Sequence, residues 1–224
     1  VSSKMTLKTG KISSWQTWTV RTKVNRFCVM FNISETKGSK KHYMKEFKQV
    51  IHESDIILEI LDARDPMGCR CREIEAEILG KDDGKKKIIL VLNKIDLVPM
   101  PVVMAWKRIL EREYACILFK ANTQSQSDRL GGNKLFQNSL NKNPELANEI
   151  IDTQKSVGTD KLMQLIKNYS KTDGVKSAVT VGVIGFPNVG KSSIINSMKK
   201  QRAVGVSATA GFTKSLQLVE IDSK

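Results

Sequence analysis

The 224-residue sequence lacks several features that would assign it to a specialised class of protein. No apolar run approaches the roughly 18 residues that a membrane-spanning helix needs, and the first residues lack the apolar segment of a signal peptide. Only two histidines are present, His42 and His52, which is too few for a convincing metal site. We therefore expect neither a membrane protein, nor a secreted product, nor a histidine-based metalloprotein.

Cysteine is also scarce, with four residues in the chain: Cys28, Cys69, Cys71 and Cys116. Only Cys69 and Cys71 are close in sequence, and a C-x-C pair beside arginines matches no common metal or redox spacing. This pattern predicts reduced thiols in a cytosolic or nuclear protein rather than a disulfide framework.

Acidic residues are nearly missing from the N-terminal end. Residues 1–50 hold 11 Lys and Arg against 2 Asp and Glu, within a chain whose formal net charge is +14. A basic arm ahead of a nearly balanced domain predicts a polyanionic partner, with nucleic acid as the first candidate. Trp15, Trp18, Phe27 and Phe31 are interspersed with the charges and could stack on unpaired bases. The alternatives are a solubilising tail and aromatic side chains that anchor the arm on the domain.

Composition divides the chain into a basic N-terminal arm over residues 1–40 and a domain over residues 41–224. Strands that alternate with helices predict a three-layer α/β fold, with helices on both faces of a mostly parallel sheet. The expected strands are 55–61, 87–92, 115–119, 178–184 and 215–221, and the expected helices are 41–54, 71–79, 101–114, 160–170 and one that ends at Met198. Gly80 is predicted to end the second helix and Thr159 to cap the fourth. Residues 122–158, rich in Asn, Gln, Ser, Lys and Gly, are predicted to form a long polar loop.

Four short motifs follow expected strands, in the order DARDP (62–66), NKID (93–96), FKAN (119–122) and GFPNVGKS (185–192). Ligands of open parallel sheets bind at the carboxyl ends of the strands. We therefore expect these four motifs to meet at one edge of the sheet.

The motif GFPNVGKS fits the phosphate-binding pattern G-x-x-x-x-G-K-[ST] and has a predicted strand before it and a helix after it. Gly185 and Gly190 would allow the backbone to approach phosphates closely. Lys191 would reach the β- and γ-phosphates, and the hydroxyl of Ser192 would ligate Mg²⁺. The predicted binding set is Gly185, Phe186, Pro187, Asn188, Val189, Gly190, Lys191, Ser192 and Ser193. A Gly-rich turn is the alternative, and the flanking strand and helix argue against it.

The motif NKID has the chemistry needed to distinguish guanine from adenine. The carboxylate of Asp96 can accept hydrogen bonds from the N1–H and the exocyclic amine of guanine, whereas adenine offers no such pair of donors. Asn93 can hold the loop and meet the other edge of the purine, and the stem of Lys94 can cover the base. By itself, NKID is also compatible with an ordinary strand-to-helix corner.

Three further residues complete the predicted site. In FKAN, Ala121 is suited to present its backbone N–H to the guanine oxygen, with Asn122 beside it. The S-A-x pattern that is usual in GTP-binding proteins has become K-A-N here. Thr213 lies after the phosphate-loop helix, where a GTPase places its mobile Mg²⁺-binding threonine, so we predict a catalytic role for it together with Lys191. A plain loop threonine is the alternative.

Asn188 is a candidate ligand for a second cation. Its side-chain carbonyl is a hard oxygen ligand beside the bridging region of the β- and γ-phosphates, which suits K⁺ alongside Mg²⁺. The alternative is a structural one, in which Asn188 bonds the backbone of its own loop.

The order of these motifs is inverted, because NKID normally follows the phosphate loop. The order DARDP, NKID, FKAN, GFPNVGKSS, GFTK resembles the circularly permuted GTPases of ribosome assembly, and in particular their nucleostemin-like branch. The resemblance covers about residues 43–222 and rests on SDIILEILDARDPMGCRC, VLNKIDLVP and VGVIGFPNVGKSSIINSMK. It implies a circularly permuted P-loop GTPase fold that binds GTP or GDP with Mg²⁺, and with K⁺ as a candidate. It further implies a nuclear and nucleolar protein whose partners are the pre-ribosomal large subunit, ribosomal RNA and other assembly proteins.

The chain departs from that family pattern in two ways. Residues 1–40 lack the dense Lys/Arg helix of the family, and the D-x-P-G motif expected after the strand at 215–221 does not appear before Lys224. In the family, the strand that precedes D-x-P-G lies between the strands equivalent to 215–221 and 178–184. We therefore expect a gap in the sheet there, a domain truncated at its C-terminus, and little hydrolysis by this chain. The alternative function is a non-hydrolysing, RNA-associated scaffold that retains the fold.

Overall fold

The computed structural model describes residues 25–29, 48–81, 86–121, 132–133, 151, 153, 155–172, 175–176, 179–199 and 217–221. Its strands are β1 (Asn25–Val29), β2 (Ile56–Asp62), β3 (Lys87–Asn93), β4 (Ala115–Leu118), β5 (Gly132–Asn133), β6 (Ser156–Val157), β7 (Lys171–Thr172), β8 (Val175–Lys176), β9 (Thr180–Gly185) and β10 (Gln217–Ile221). Its helices are α1 (48–53), α2 (Arg72–Lys81), α3 (Met100–Leu110), α4 (Thr159–Tyr169) and α5 (Lys191–Lys199), with a 3₁₀ turn at Ile95–Leu97. Over these ranges, no helix is both long enough and apolar enough to span a membrane.

Six strands form one sheet in the order β10–β1–β9–β2–β3–β4. The pairs β9–β2, β2–β3 and β3–β4 are parallel. All seven residues of β2 are buried, because a central parallel strand is covered by helices on both faces, and five of the seven are aliphatic. The predicted α/β fold with a mostly parallel sheet is confirmed.

Alternate side chains of the central strands enter two separate apolar cores, as the pleat of a strand requires. The first face of the sheet packs against α1, α2 and α3 through residues that include Val50, Ile57, Leu61, Ile78, Leu90, Leu92, Val103 and Leu110. The second face packs against α4 and α5 through residues that include Ile56, Leu58, Ile60, Ile89, Val91, Leu162, Ile166, Ile194 and Ile195. Burying each such side chain contributes about 1.5–3 kcal/mol, so both layers are needed to stabilise the sheet.

The place in the sheet that was predicted to be empty is occupied by β1. In the strand register, Phe27 is paired with Val181 of β9 in a parallel arrangement and with Val219 of β10 in an antiparallel one. The expectation of a gap is therefore wrong, because a five-residue extended segment from the basic arm supplies the backbone partners that two exposed strand edges need. The domain boundary at residue 40 stays a prediction.

Two predicted helix ends are also wrong. Helix α2 continues through Gly80 to Lys81, since an exposed glycine in a helix costs only about 1 kcal/mol and does not by itself end it. Helix α4 is preceded by Gly158 rather than capped by Thr159, and Gly158 has φ 88°. A Cβ at Gly158 would lie 2.1 Å from the carbonyl oxygen of Leu118, so this position requires glycine.

Candidate functional site

The carboxyl ends of the four parallel strands lie together at one edge of the sheet, which we call the carboxyl edge. In the strand registers, Asp62 is opposite Asn93, and Ile60 is opposite Gly185. Strand β4 ends beside β3, so FKAN leaves the same edge. The expectation that DARDP, NKID, FKAN and GFPNVGKS meet at one edge is confirmed by this pairing.

The phosphate loop between β9 and α5 requires glycine at both ends. Gly185 and Gly190 have φ values of 147° and 99°, which residues other than glycine rarely adopt. A Cβ at Gly185 would lie 2.6 Å from the carbonyl oxygen of Ile60, and one at Gly190 would lie 2.2 Å from Nδ2 of Asn93. The two glycines therefore let the loop pack closely against both β2 and NKID.

The phosphate loop exposes three consecutive side chains and buries the next one. Phe186, Pro187 and Asn188 are exposed, whereas Val189 is buried against the second face. Asn188 has φ 56°, a left-handed conformation that asparagine tolerates better than most residues. In α5, Ser192 is buried and Ser193 is half-buried.

Lys191, the first residue of α5, is 4% exposed, and its ammonium lies within the loop itself. Its Nζ donates to the carbonyl oxygens of Gly185, at 2.9 Å, and of Phe186, at 2.5 Å. Burial lowers the pKa of Lys191 to about 8, because the charged form loses hydration. An anion in the loop would favour the charged form, which is the behaviour expected of a phosphate-binding lysine.

Asn93, the first residue of NKID (hereafter the base motif), connects that motif to the phosphate loop. Its Nδ2 donates to the carbonyl oxygen of Val189 at 2.7 Å, although the two residues are 96 positions apart in sequence. Its Oδ1 is buried and accepts no hydrogen bond from the described residues. Buried acceptors are normally paired, so this oxygen marks a site that another group completes.

The other residues of the base motif lie just after β3, in or beside the 3₁₀ turn. Lys94 has φ 60° and ψ 38°, and its Nζ lies 2.9 Å from Oδ2 of Asp62. Asp96 is exposed in the 3₁₀ turn, and Ala121 is half-buried just beyond β4. The predicted base-contacting residues therefore follow β3 and β4, whose ends are adjacent at the carboxyl edge.

Thr213 and Asn122 lie outside the described residues, so the roles assigned to them stay predictions. The roles of the remaining predicted site residues toward a nucleotide stay predictions as well, although the structure gathers the phosphate loop, Asn93, Lys94, Asp96 and Ala121 at one edge.

Sequence reasoning assigned no role to Asp62, which the structure places in direct contact with the base motif. Burial would raise the pKa of Asp62, but hydrogen bonds from Arg64 and Lys94 outweigh it and hold the pKa well below its usual range. The position of Asp62 at the end of a buried strand indicated that it could take part in the site. Sequence spacing did not reveal that its partner is Lys94.

Lys120, which replaces the usual serine before Ala121, has a structural partner. Its backbone N–H and C=O pair with those of Val157 at 3.0 and 2.9 Å. Its Nζ donates to the carbonyl oxygens of Ile151 and, at 2.7 Å, of Thr153. Lys120, which departs from the S-A-x pattern, therefore fastens Ile151, Thr153 and Val157 to the end of β4.

Comparisons with known proteins agree with this geometry. Residues 180–224 match the sequence family described as "50S ribosome-binding GTPase". The chain is 44% identical over 193 residues to the guanine nucleotide-binding protein-like 3 homolog of Drosophila melanogaster. It is 43% identical over 185 residues to the guanine nucleotide-binding protein-like NSN1 of Arabidopsis thaliana, and 40% identical over 191 residues to the guanine nucleotide-binding protein-like 3 of Homo sapiens. Over the aligned residues, the chain is similar to proteins named guanine nucleotide-binding protein-like 3.

These alignments cover 86%, 83% and 85% of the chain but only 32%, 30% and 33% of the three relatives, so the chain spans about a third of their length. Among solved structures, the GDP-bound structure of TM YlqF superposes with a TM-score of 0.39 and 19% identity, over 70% of this chain and 49% of that one. The nucleostemin-like, circularly permuted GTPase family predicted from the motifs is confirmed. These relatives are named as guanine nucleotide-binding proteins.

Proposed function

We propose that this chain is the guanine-nucleotide-binding part of a GTPase that assists assembly of the large ribosomal subunit in the nucleolus. The hydrogen bond of 2.7 Å from Asn93 to Val189 carries the nucleotide-binding part of the proposal, because it fastens the base motif to the phosphate loop. The match of residues 180–224 to a family described as ribosome-binding supports the remainder. The proposed partners are the pre-ribosomal large subunit, ribosomal RNA and other assembly proteins in the nucleus.

The residues at the carboxyl edge fit a guanine nucleotide with Mg²⁺. The two loop glycines leave room that a Cβ would fill, and the ammonium of Lys191 occupies the centre of the loop. The hydroxyl of Ser192 would hold Mg²⁺, with Thr213 as the proposed second ligand. When bound, Mg²⁺ would neutralise charge on the β- and γ-phosphates.

Base selectivity is the direct test of this proposal. The chain should bind GDP more tightly than ADP in a fluorescence competition assay, since Asp96 matches two donors found on guanine only. Asp96→Asn should weaken GDP binding and improve binding of xanthosine diphosphate, whose extra carbonyl replaces the amine. Equal affinity of the unaltered chain for ADP and GDP would show that the motif does not read the base.

The basic arm favours a second candidate function, a non-hydrolysing scaffold bound to RNA. Residues 1–50 hold 11 Lys and Arg against 2 Asp and Glu, so RNA affinity should fall steeply with salt and depend little on sequence. Replacing Lys4, Lys8 and Lys11 with alanine leaves β1 intact and should reduce that salt dependence. Turnover of GTP by the longer protein, abolished by Lys191→Ala, would favour the GTPase over the scaffold.

Potassium stimulation is a further part of the proposal and concerns Asn188. Asn188 is exposed in the phosphate loop, and its side-chain carbonyl is a hard oxygen ligand of the kind that suits K⁺. In the longer protein, hydrolysis should be faster in K⁺ than in Na⁺ at constant ionic strength. Asn188→Ala should remove the difference and leave GDP affinity largely intact, whereas equal rates in both salts would refute the K⁺ site.

A further inference from the structure

Asp62 lies where the DARDP and NKID loops leave the sheet side by side. The N–H of Ala63 donates to the carbonyl oxygen of Asn93 at 2.8 Å, so the two loops are also joined through the backbone. The side chain of Asp62 is only 9% exposed. A carboxylate at this depth needs partners, and those partners determine which neighbouring groups it holds in place.

Both oxygens of the Asp62 carboxylate are engaged. Oδ2 lies 2.9 Å from Nζ of Lys94 and 2.7 Å from Nη2 of Arg64, and Oδ1 accepts the backbone N–H and the Nε–H of Arg64 at 3.0 and 2.9 Å. The side chain of Arg64 is 57% exposed, whereas that of Lys94 is 25% exposed. Because water screens the exposed pair more strongly, the pair with Lys94 is the one expected to fix geometry.

Lys94 adopts a backbone conformation that lysine does not favour. Its φ of 60° lies in the left-handed region, and its carbonyl oxygen accepts the N–H of Leu97 at 3.0 Å to begin the 3₁₀ turn that carries Asp96. Such a conformation persists only where the surroundings hold it. The ion pair to Asp62 anchors the tip of the Lys94 side chain, and the end of β3 anchors its backbone.

We propose that Asp62 is a positioning residue for base selectivity, acting through Lys94. By holding the Lys94 ammonium, it keeps the lysine stem across the base position and the following turn in the orientation that aims Asp96 at guanine. Asp62 does so without touching the base. This inference rests on the proposed function, since it assigns Asp62 a part in guanine recognition by the same site.

The experiment compares the affinities of the unaltered chain and of Asp62→Asn for GDP, ADP and pyrophosphate. Asp62→Asn keeps the size of the side chain and an acceptor for Arg64 but removes the charge that holds Lys94. The preference for GDP over ADP should fall about tenfold, while pyrophosphate affinity, which depends on the phosphate loop, should stay within about twofold. A residue needed only for folding would weaken all three ligands together.

Three variants make the test specific. Arg64→Ala removes the exposed partner of Asp62 and should leave the preference for GDP unchanged. In a Lys94→Met background, Asp62→Asn should cause no further loss, because the group through which Asp62 acts is already gone. Asp62→Glu keeps the charge at a shifted position and should give an intermediate preference, so the proposal can be tested even if Asp62→Asn folds poorly.

The outcomes separate this inference from the proposed function. An unaltered chain that does not prefer GDP over ADP would overturn both. An unaltered chain that prefers GDP, together with an Asp62→Asn variant that retains the full preference, would overturn only the role of Asp62. Additive losses from Asp62→Asn and Lys94→Met would also overturn it, because the two residues would then act independently.

Discussion

The two faces of the central sheet accommodate buried charge in different ways. On the first face, the guanidinium of Arg70 is 1% exposed and contacts the carboxylate of Glu75 at 2.5 and 2.7 Å and that of Glu113 at 2.6 Å. On the second face, the ammonium of Lys191 is met by the carbonyl oxygens of Gly185 and Phe186.

The difference separates a structural charge from one placed to receive a ligand. Full charges opposite Arg70 compensate it in the folded protein without any ligand, so this cluster can stabilise the loop after β2. Carbonyl dipoles compensate Lys191 less completely, and burial accordingly lowers its pKa to about 8. A phosphate group can exchange with those carbonyls at little cost.

Breaking the charge cluster on the first face should cause the largest of the predicted changes, a decrease in the free energy of unfolding. Arg70→Met leaves the carboxylate of Glu75 buried without its cation and should destabilise the fold by about 3–5 kcal/mol in urea denaturation. Arg72→Met is the matched control, because its side chain is 63% exposed and contacts Glu113 at 3.2 Å. If Arg70→Met lowers the free energy of unfolding no more than the control does, the cluster does not stabilise the fold.

Removing the charge on the second face should affect binding rather than folding. Lys191→Met keeps the apolar stem but removes the donor to phosphate, so GDP affinity should fall by about 100-fold in calorimetry. The free energy of unfolding without nucleotide should not decrease, because a buried ammonium is lost. Lys48→Met, at an exposed position of α1, should change neither quantity. A destabilised Lys191→Met protein would contradict the contrast between the faces.

The smallest expected effect concerns Glu59, which lies on the first face within β2. Burial raises its pKa to about 8; the N–H of Cys71, at 3.0 Å, acts in the opposite direction, and the nearby charge of Glu75 adds to the rise. The folded state therefore holds a proton that the unfolded chain releases above its ordinary pKa of 4.5. Stability should consequently fall as pH rises from about 4.5 to about 8.

Glu59→Gln tests this pH dependence, because glutamine resembles the protonated carboxyl group. The variant should match the unaltered protein near pH 5 and exceed its stability near pH 8 in urea denaturation. Glu73→Gln, on the exposed side of α2, should keep the original pH profile. If Glu59→Gln keeps the original profile as well, Glu59 does not carry the proton.

The central strands and the phosphate loop could be predicted because their signals are local. The hydrophobic run of β2 and the spacing from Gly185 to Ser192 are readable in a few adjacent residues. The helix start at Gly158 could not be predicted, since the requirement for glycine comes from Leu118, 40 positions earlier in the chain. The pairing of β1 could not be predicted either, because any short extended segment can supply the hydrogen bonds of a strand partner.

By itself, the sequence determined the layered α/β architecture, the order of the motifs and the family, since periodicity and motif spacing are properties of neighbouring residues. Only the tertiary structure decided which groups meet: Asn93 with Val189, Asp62 with Lys94, and β1 between β9 and β10. These contacts join residues far apart in the chain. Their partners are selected by strand order and by the need to pair buried polar groups, and neither is written in any local pattern.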